Sequence, residues 1–246
     1  MRLKMITTIY YIILIYFVLG GVGFYFINRK KRPEVASKSN LKFITYFFVI
    51  NILFFSIVIN PLVFRYLSVL IIGAGLIELF CLFQKAGYKN FGFHLLALIV
   101  YGVLSIGFLF FGRLQKELIL FSFIVTSIFD SFSQITGQLF GRRQLFRKTS
   151  PNKTLGGLIG GGLIAFTSSY LLSSLYFEFN LKFIIFTFGV ILFAFAGDLA
   201  ASFYKRKYGV KDYSKLIPGH GGFLDRFDSL IAAGAWVALS MYVLNY

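Results

Sequence analysis

The sequence predicts an all-α integral membrane protein with about eight transmembrane helices, and three observations carry that expectation. The 246 residues are 58% hydrophobic and only 14% charged, with a mean hydropathy of +0.79. A water-soluble domain of this size does not need so much apolar surface. Apolar runs near twenty residues, the length that crosses a bilayer as a helix, recur along the whole chain. The cations are also patterned: 18 of the 25 Lys and Arg fall in alternate connections between those runs, and Arg226 follows just inside the last run.

The first span, residues 6–27, is rich in Ile, Tyr and Phe, and is too long for a cleaved signal peptide. It ends at Asn28-Arg29-Lys30-Lys31-Arg32-Pro33. Spans two and three, 43–59 and 63–83, are separated by Asn60-Pro61, which breaks a helix at a tight turn. A short loop with Lys85 and Lys89 leads to span four, 92–111, and the stretch from Gly112 to Glu117 turns into span five, 118–138. The basic loop 137–154 follows. Span six, 155–176, opens on a glycine-rich run, span seven, 182–203, carries Gly197-Asp198, and span eight, 223–244, closes the series.

The net charge of +16 would suggest nucleic acid in a soluble protein, but loops after spans one, three, five and seven hold most of it. Membrane topology explains that pattern first and an anionic substrate second, so no nucleic-acid partner is expected. The bias puts the odd-numbered loops in the cytoplasm and both termini outside. Cys81, the single cysteine, lies in an apolar run and reads as a packing residue.

Several polar residues sit where lipid would be hostile. Asp130 shares a helical face with Gln134 and Gly137, and Asp198 precedes Ser202 and Lys205 at i+4 and i+7. Charged groups inside spans face a cavity or a partner, so each Asp either belongs to a site or pairs with a nearby cation for structure alone. Glu78 is deep enough in its span to keep as a reserve candidate, whereas Glu117 and Glu178 read as span-end residues and His94 as structural. In Ser150-Pro151-Asn152-Lys153-Thr154 an ammonium, a hydroxyl and helix-start N–H groups stand together, as a phosphate requires. Thr154 would also cap span six, and Gly156, Gly157, Gly160, Gly161 and Gly162 would let helices pack closely or a dimer form. Arg142, Arg143, Arg147 and Lys148 read first as a topology signal.

The densest polar stretch runs from Ser202 to Ser229. Its cations, its glycines with approachable N–H groups, and Asp225 and Asp228 on one helical face suit a metal-bound polyphosphate. In detail it reads Ser202-x-x-Lys205-Arg206, then Lys211-Asp212, then Pro218-Gly219-His220-Gly221-Gly222-Phe223-x-Asp225-Arg226-x-Asp228. This pattern resembles the C-terminal motif of the phosphatidate cytidylyltransferases, or CDP-diacylglycerol synthases. Ser150-Pro151-x-Lys153-Thr154 and Gly197-Asp198 resemble two further segments of that family. Leu155-Gly156-Gly157 departs from it, since the family commonly has an acid after the Lys-Thr pair.

The resemblance implies transfer of CMP from CTP to phosphatidate or a related lipid phosphate, with Mg²⁺ and a second cation such as K⁺ nearby. It implies one multi-pass domain over 1–246, with N-terminal helices in 1–117 and the catalytic helices and loops in 118–246, and the site at cytoplasmic helix ends. Asp198 and Asp225 would hold the metal, with Asp228 or Asp130 completing its surroundings. Lys205, Arg206 and Arg226 would neutralise phosphates. Ser150, Lys153, Thr154, Lys211, Asp212, His220, Gly221 and Gly222 would contact nucleotide or headgroup. A CTP-dependent lipid or polyprenol kinase, a cytidylyltransferase for an unusual lipid, and an anion carrier are the alternatives. The carrier is disfavoured because the charges gather at one membrane side.

Overall fold

The computed structural model describes residues 2–29, 32–176, 180–217 and 221–244. Lys30, Lys31, Glu178 and His220, all singled out above, lie outside the described residues. Eight long helices stand where the apolar runs predict them: α1 (Arg2–Asn28), α2 (Pro33–Ile59), α3 (Pro61–Lys85), α4 (Phe91–Phe111), α5 (Lys116–Phe140), α6 (Leu155–Tyr176), α7 (Leu181–Lys207) and α8 (Leu224–Leu244). Among the described residues seven of them, α1 to α7, are long and apolar enough to cross a membrane. α8 opens on Asp225, Arg226 and Asp228 and is predominantly apolar beyond them.

Local chemistry sets the boundaries. Pro61 occupies the first turn of α3, where its missing N–H costs nothing, and the Asn60 side chain accepts from the Leu62 N–H at 2.9 Å. Asn180 caps α7 in the same way through the Phe183 N–H at 3.0 Å. Lys205, Arg206 and Lys207 fill the last turn of α7, where cations suit the dipole, and Gly209 at φ 72° turns the chain away.

The basic loop between α5 and α6 is not wholly irregular. It forms a two-stranded antiparallel hairpin, β1 (Gln144–Phe146) and β2 (Ser150–Thr154), with Phe146 opposite Ser150. The all-α expectation therefore needs this one addition. Strands of three and five residues leave too little periodicity to read beside a run of cations.

α5 is the hub. It packs against α1, α2, α6, α7 and α8, and from Leu118 to Phe129 nearly every side chain is buried. The α5–α6 contact is close because α6 presents glycine there. A methyl group at Gly161 would stand 2.7 Å from the Ser133 Cα, inside contact distance with backbone. Gly161→Ala is therefore expected to cost about 1–3 kcal/mol by overpacking, read as a lower melting temperature in detergent.

Connections after α3, α5 and α7 meet at one end of the bundle. The Tyr208 hydroxyl donates to the Lys89 carbonyl at 3.3 Å, and Arg206 Nε donates to the Thr149 carbonyl at 3.1 Å. At the opposite end Arg65 Nε donates to the Gly112 carbonyl at 3.1 Å. The functional motifs thus share one face of the molecule.

Candidate active site

The site is built where the charged ends of α5, α7 and α8 and strand β2 converge. Asp130 comes from α5, Asp198 from α7, Asp225, Arg226 and Asp228 from α8, and Ser150, Asn152 and Lys153 from β2. All of them line one cavity of about 380 Å³. The α1 and α2 side is largely apolar, with Ile13 and Phe17 of α1 and Phe43, Ile50 and Leu53 of α2, although Lys42 and Tyr46 also line it. One wall therefore suits charge and the other suits hydrocarbon.

Two ion pairs organise the polar wall, and they differ in burial. Lys153 Nζ lies 3.0 Å from Asp198 Oδ2, with the Asp198 side chain 41% exposed. The same ammonium sits 4.5 Å from the centre of the Phe195 ring. Ser202 Oγ, one turn on, donates to Asp198 Oδ1 at 3.3 Å, which realises the i+4 spacing seen in the sequence. The second pair is sealed: Lys205 Nζ meets Asp225 Oδ1 at 2.5 Å with side chains only 10% and 2% exposed.

Asp225 does more than pair. Its Oδ2 accepts from the backbone N–H groups of Tyr213 and Gly222, each at 2.8 Å. Three donors on two oxygens make it the pin that holds the loop between α7 and α8. Gly221 fits this arrangement twice over, since it adopts φ +85° and a methyl there would stand 2.7 Å from Asp225 Oδ2. Burial, with the Asp228 and Asp225 carboxylates close by, holds the Tyr213 phenol well above its usual range. It therefore keeps its proton and donates to the Ala201 carbonyl at 3.3 Å.

Asp130 and Asp228 are linked through one residue. Ser229 Oγ donates to Asp130 Oδ1 at 3.3 Å, and the Ser229 N–H donates to Asp228 Oδ1 at 2.8 Å. Among the described residues, no three Asp, Glu, His or Cys side chains stand close enough to share one ion. Asp130, Asp198 and Asp228 nonetheless face one cavity and offer hard carboxyl oxygens, the donor type that Mg²⁺ takes.

The remaining candidates divide clearly. Thr154 Oγ1 accepts from the Gly157 N–H at 3.0 Å and so caps α6, away from the cavity lining. Arg206 reaches the Thr149 and Val210 carbonyls across the surface, and Lys211 and Asp212 are exposed. None of these three lines the cavity. His94 is structural, as expected: it stacks on Phe83 at 3.9 Å, and its Nδ1 lies 2.8 Å from the Tyr204 hydroxyl.

Sequence reasoning missed two contributions. The α1 and α2 wall, with Lys42 and Tyr46 facing the same cavity, carries no motif to find. Glu78, held only in reserve, is buried in α3 and receives three hydrogen bonds from the motif loop. Its signal was a carboxylate deep inside an apolar run.

The family model described as the Cytidylyltransferase family matches residues 3–244. The chain belongs to the cytidylyltransferase family. Among the relatives of this chain, a protein of Staphylococcus saprophyticus named phosphatidate cytidylyltransferase is 39% identical over 133 residues, covering 52% of this chain and 51% of that protein. One of Staphylococcus aureus with the same name is 41% identical over 135 residues, with 52% and 51% covered. Another, of Haemophilus influenzae, is 42% identical over 122 residues, with 47% and 42% covered. The chain thus spans about half the length of the relatives it matches.

Proposed function

We propose that this protein transfers CMP from CTP to phosphatidate, giving CDP-diacylglycerol and pyrophosphate. One observation carries the reading: a single cavity has a wall of carboxylates and cations facing a wall of apolar side chains from α1 and α2. A nucleoside triphosphate needs the first wall, and a lipid phosphate needs both. The names of the relatives support that pair of substrates.

In the reaction a phosphatidate oxygen attacks the α-phosphorus of CTP. The bond from that phosphorus to the α–β bridging oxygen breaks, and its electrons leave with pyrophosphate. The attacking phosphate is already anionic, so positioning and charge neutralisation dominate and a general base is unnecessary. Lys153 and Arg226 face the cavity and would neutralise phosphate oxygens. Lys205 stays on Asp225 and holds the wall in place.

Asp198, with either Asp228 or Asp130, would hold Mg²⁺ beside the triphosphate, and Asp225 contributes only as far as its three existing donors allow. When bound, the ion would neutralise charge building on the departing pyrophosphate. We place this end of the bundle at the cytoplasmic face of the cell membrane, because CTP is cytoplasmic and most loop cations lie on that side.

The test is an assay of the purified chain with α-³²P-labelled CTP, Mg²⁺ and phosphatidate, omitting each in turn. Label entering lipid with release of pyrophosphate is expected only with all three present. CDP release with a phosphorylated alcohol would instead mark a lipid kinase. No labelled lipid under any condition would overturn the reading.

A further inference from the structure

The start of α8 is the most heavily loaded part of the site, since Asp225 and Arg226 stand in its first turn and Asp228 just beyond it. A helix start leaves backbone N–H groups without partners inside the helix, so something must anchor it. The anchor comes from elsewhere in the chain. Glu78, about two turns before the end of α3, accepts from the Leu224 N–H through Oε2 at 2.8 Å. Its Oε1 accepts from the Phe223 N–H at 3.0 Å and from Ser214 Oγ at 2.7 Å.

Three features set Glu78 apart from an ordinary buried acid. It is 4% exposed, yet among the described residues its hydrogen-bond partners are N–H and O–H donors with no cation among them. The positive end of α8 supplies the compensating field. It also occupies the space where Gly222 has no side chain: a methyl on Gly222 would collide with all three atoms of the Glu78 carboxyl group. Finally, it ties both flanks of the loop at once, Ser214 on one side and Phe223 with Leu224 on the other.

We infer that Glu78 is a positioning residue of the site, fixing the first turn of α8 and through it Arg226 and Asp228 against the bound triphosphate. The inference rests on the cytidylyltransferase reading for its kinetic consequence, but its structural half does not. Glu78→Gln preserves volume and one acceptor oxygen while turning an amide N–H₂ toward one of the backbone donors. Glu78→Ala removes both acceptors.

The measurement pairs steady-state kinetics with hydrogen–deuterium exchange on the full chain in detergent. In Glu78→Gln, kcat/KM for CTP is expected to fall at least about tenfold, the scale of an unmade hydrogen bond at a buried donor. KM for phosphatidate stays within about twofold, because the apolar wall belongs to α1 and α2. Exchange in peptides covering 221–230 should quicken while α5 and α6 stay protected. Glu78→Ala should extend both effects and Glu78→Asp should recover part of each.

Wild-type exchange in 221–230 in the Gln and Ala variants would overturn the inference, whatever the enzyme does. So would unaltered kinetics for CTP in folded Glu78→Gln. An equal loss for CTP and phosphatidate, with exchange quickened throughout the bundle, would reduce Glu78 to a general stability residue and also overturn it. If the wild-type chain transfers no CMP, the cytidylyltransferase reading fails alone, and the exchange result still decides the anchor.

Discussion

Asp198→Asn is expected to lower cytidylyl transfer by about two to three orders of magnitude, the range seen when one preorganised electrostatic group is lost. The fold should survive, because the Asp198 side chain is 41% exposed and its partner Lys153 can turn to solvent. A melting temperature within about 2 °C of wild type, beside a collapsed kcat, is the expected pair of readings. A folded Asp198→Asn protein with full activity would remove Asp198 from the chemistry. The charge at this position is the object of the test, since Asn keeps the shape.

Lys205→Met is expected to fail in the opposite way. It strands the Asp225 carboxylate, 2% exposed, without its ammonium, and breaking one side of a buried pair costs about 3–5 kcal/mol. The loss should appear first as a lower melting temperature, and only then as lost activity through the loosened loop. Combining Lys205→Met with Asp225→Asn removes the stranded charge, so the double variant should recover much of the stability. If the single variant melts like wild type, the pair is not the pin described above. The two carboxylates that the motif makes look alike are thus separable by experiment, one by rate and the other by stability.

Much of the fold was legible because each helix is a long apolar run closed by a recognisable signal. Asn60-Pro61 marks a real break, with Asn60 capping α3. The site was legible where several residue types recur at fixed spacing. Asp130, Lys153, Asp198, Arg226 and Asp228 do gather round one cavity. What stayed hidden was partnership across the chain. No spacing rule says that Lys153 sits on Asp198 while Lys205 sits on Asp225, because both pairings are made by packing of distant helices. Nor can apolar periodicity say that α1 and α2 face the cavity, since a lipid-facing and a cavity-facing Phe look the same in sequence. Thr154 shows the converse: its place beside Lys153 suggests a ligand contact, whereas its hydroxyl serves the α6 N-terminus.

The missing side chain of Gly222 and the carboxyl group of Glu78 occupy adjoining space. Descent with modification would therefore treat them as one character. A lineage that enlarged residue 222 would have to shrink or withdraw residue 78 in the same step, and would lose the anchor of α8 by doing so. Neither position is free to drift alone, although one belongs to the dense C-terminal motif and the other to an apolar helix with no motif of its own.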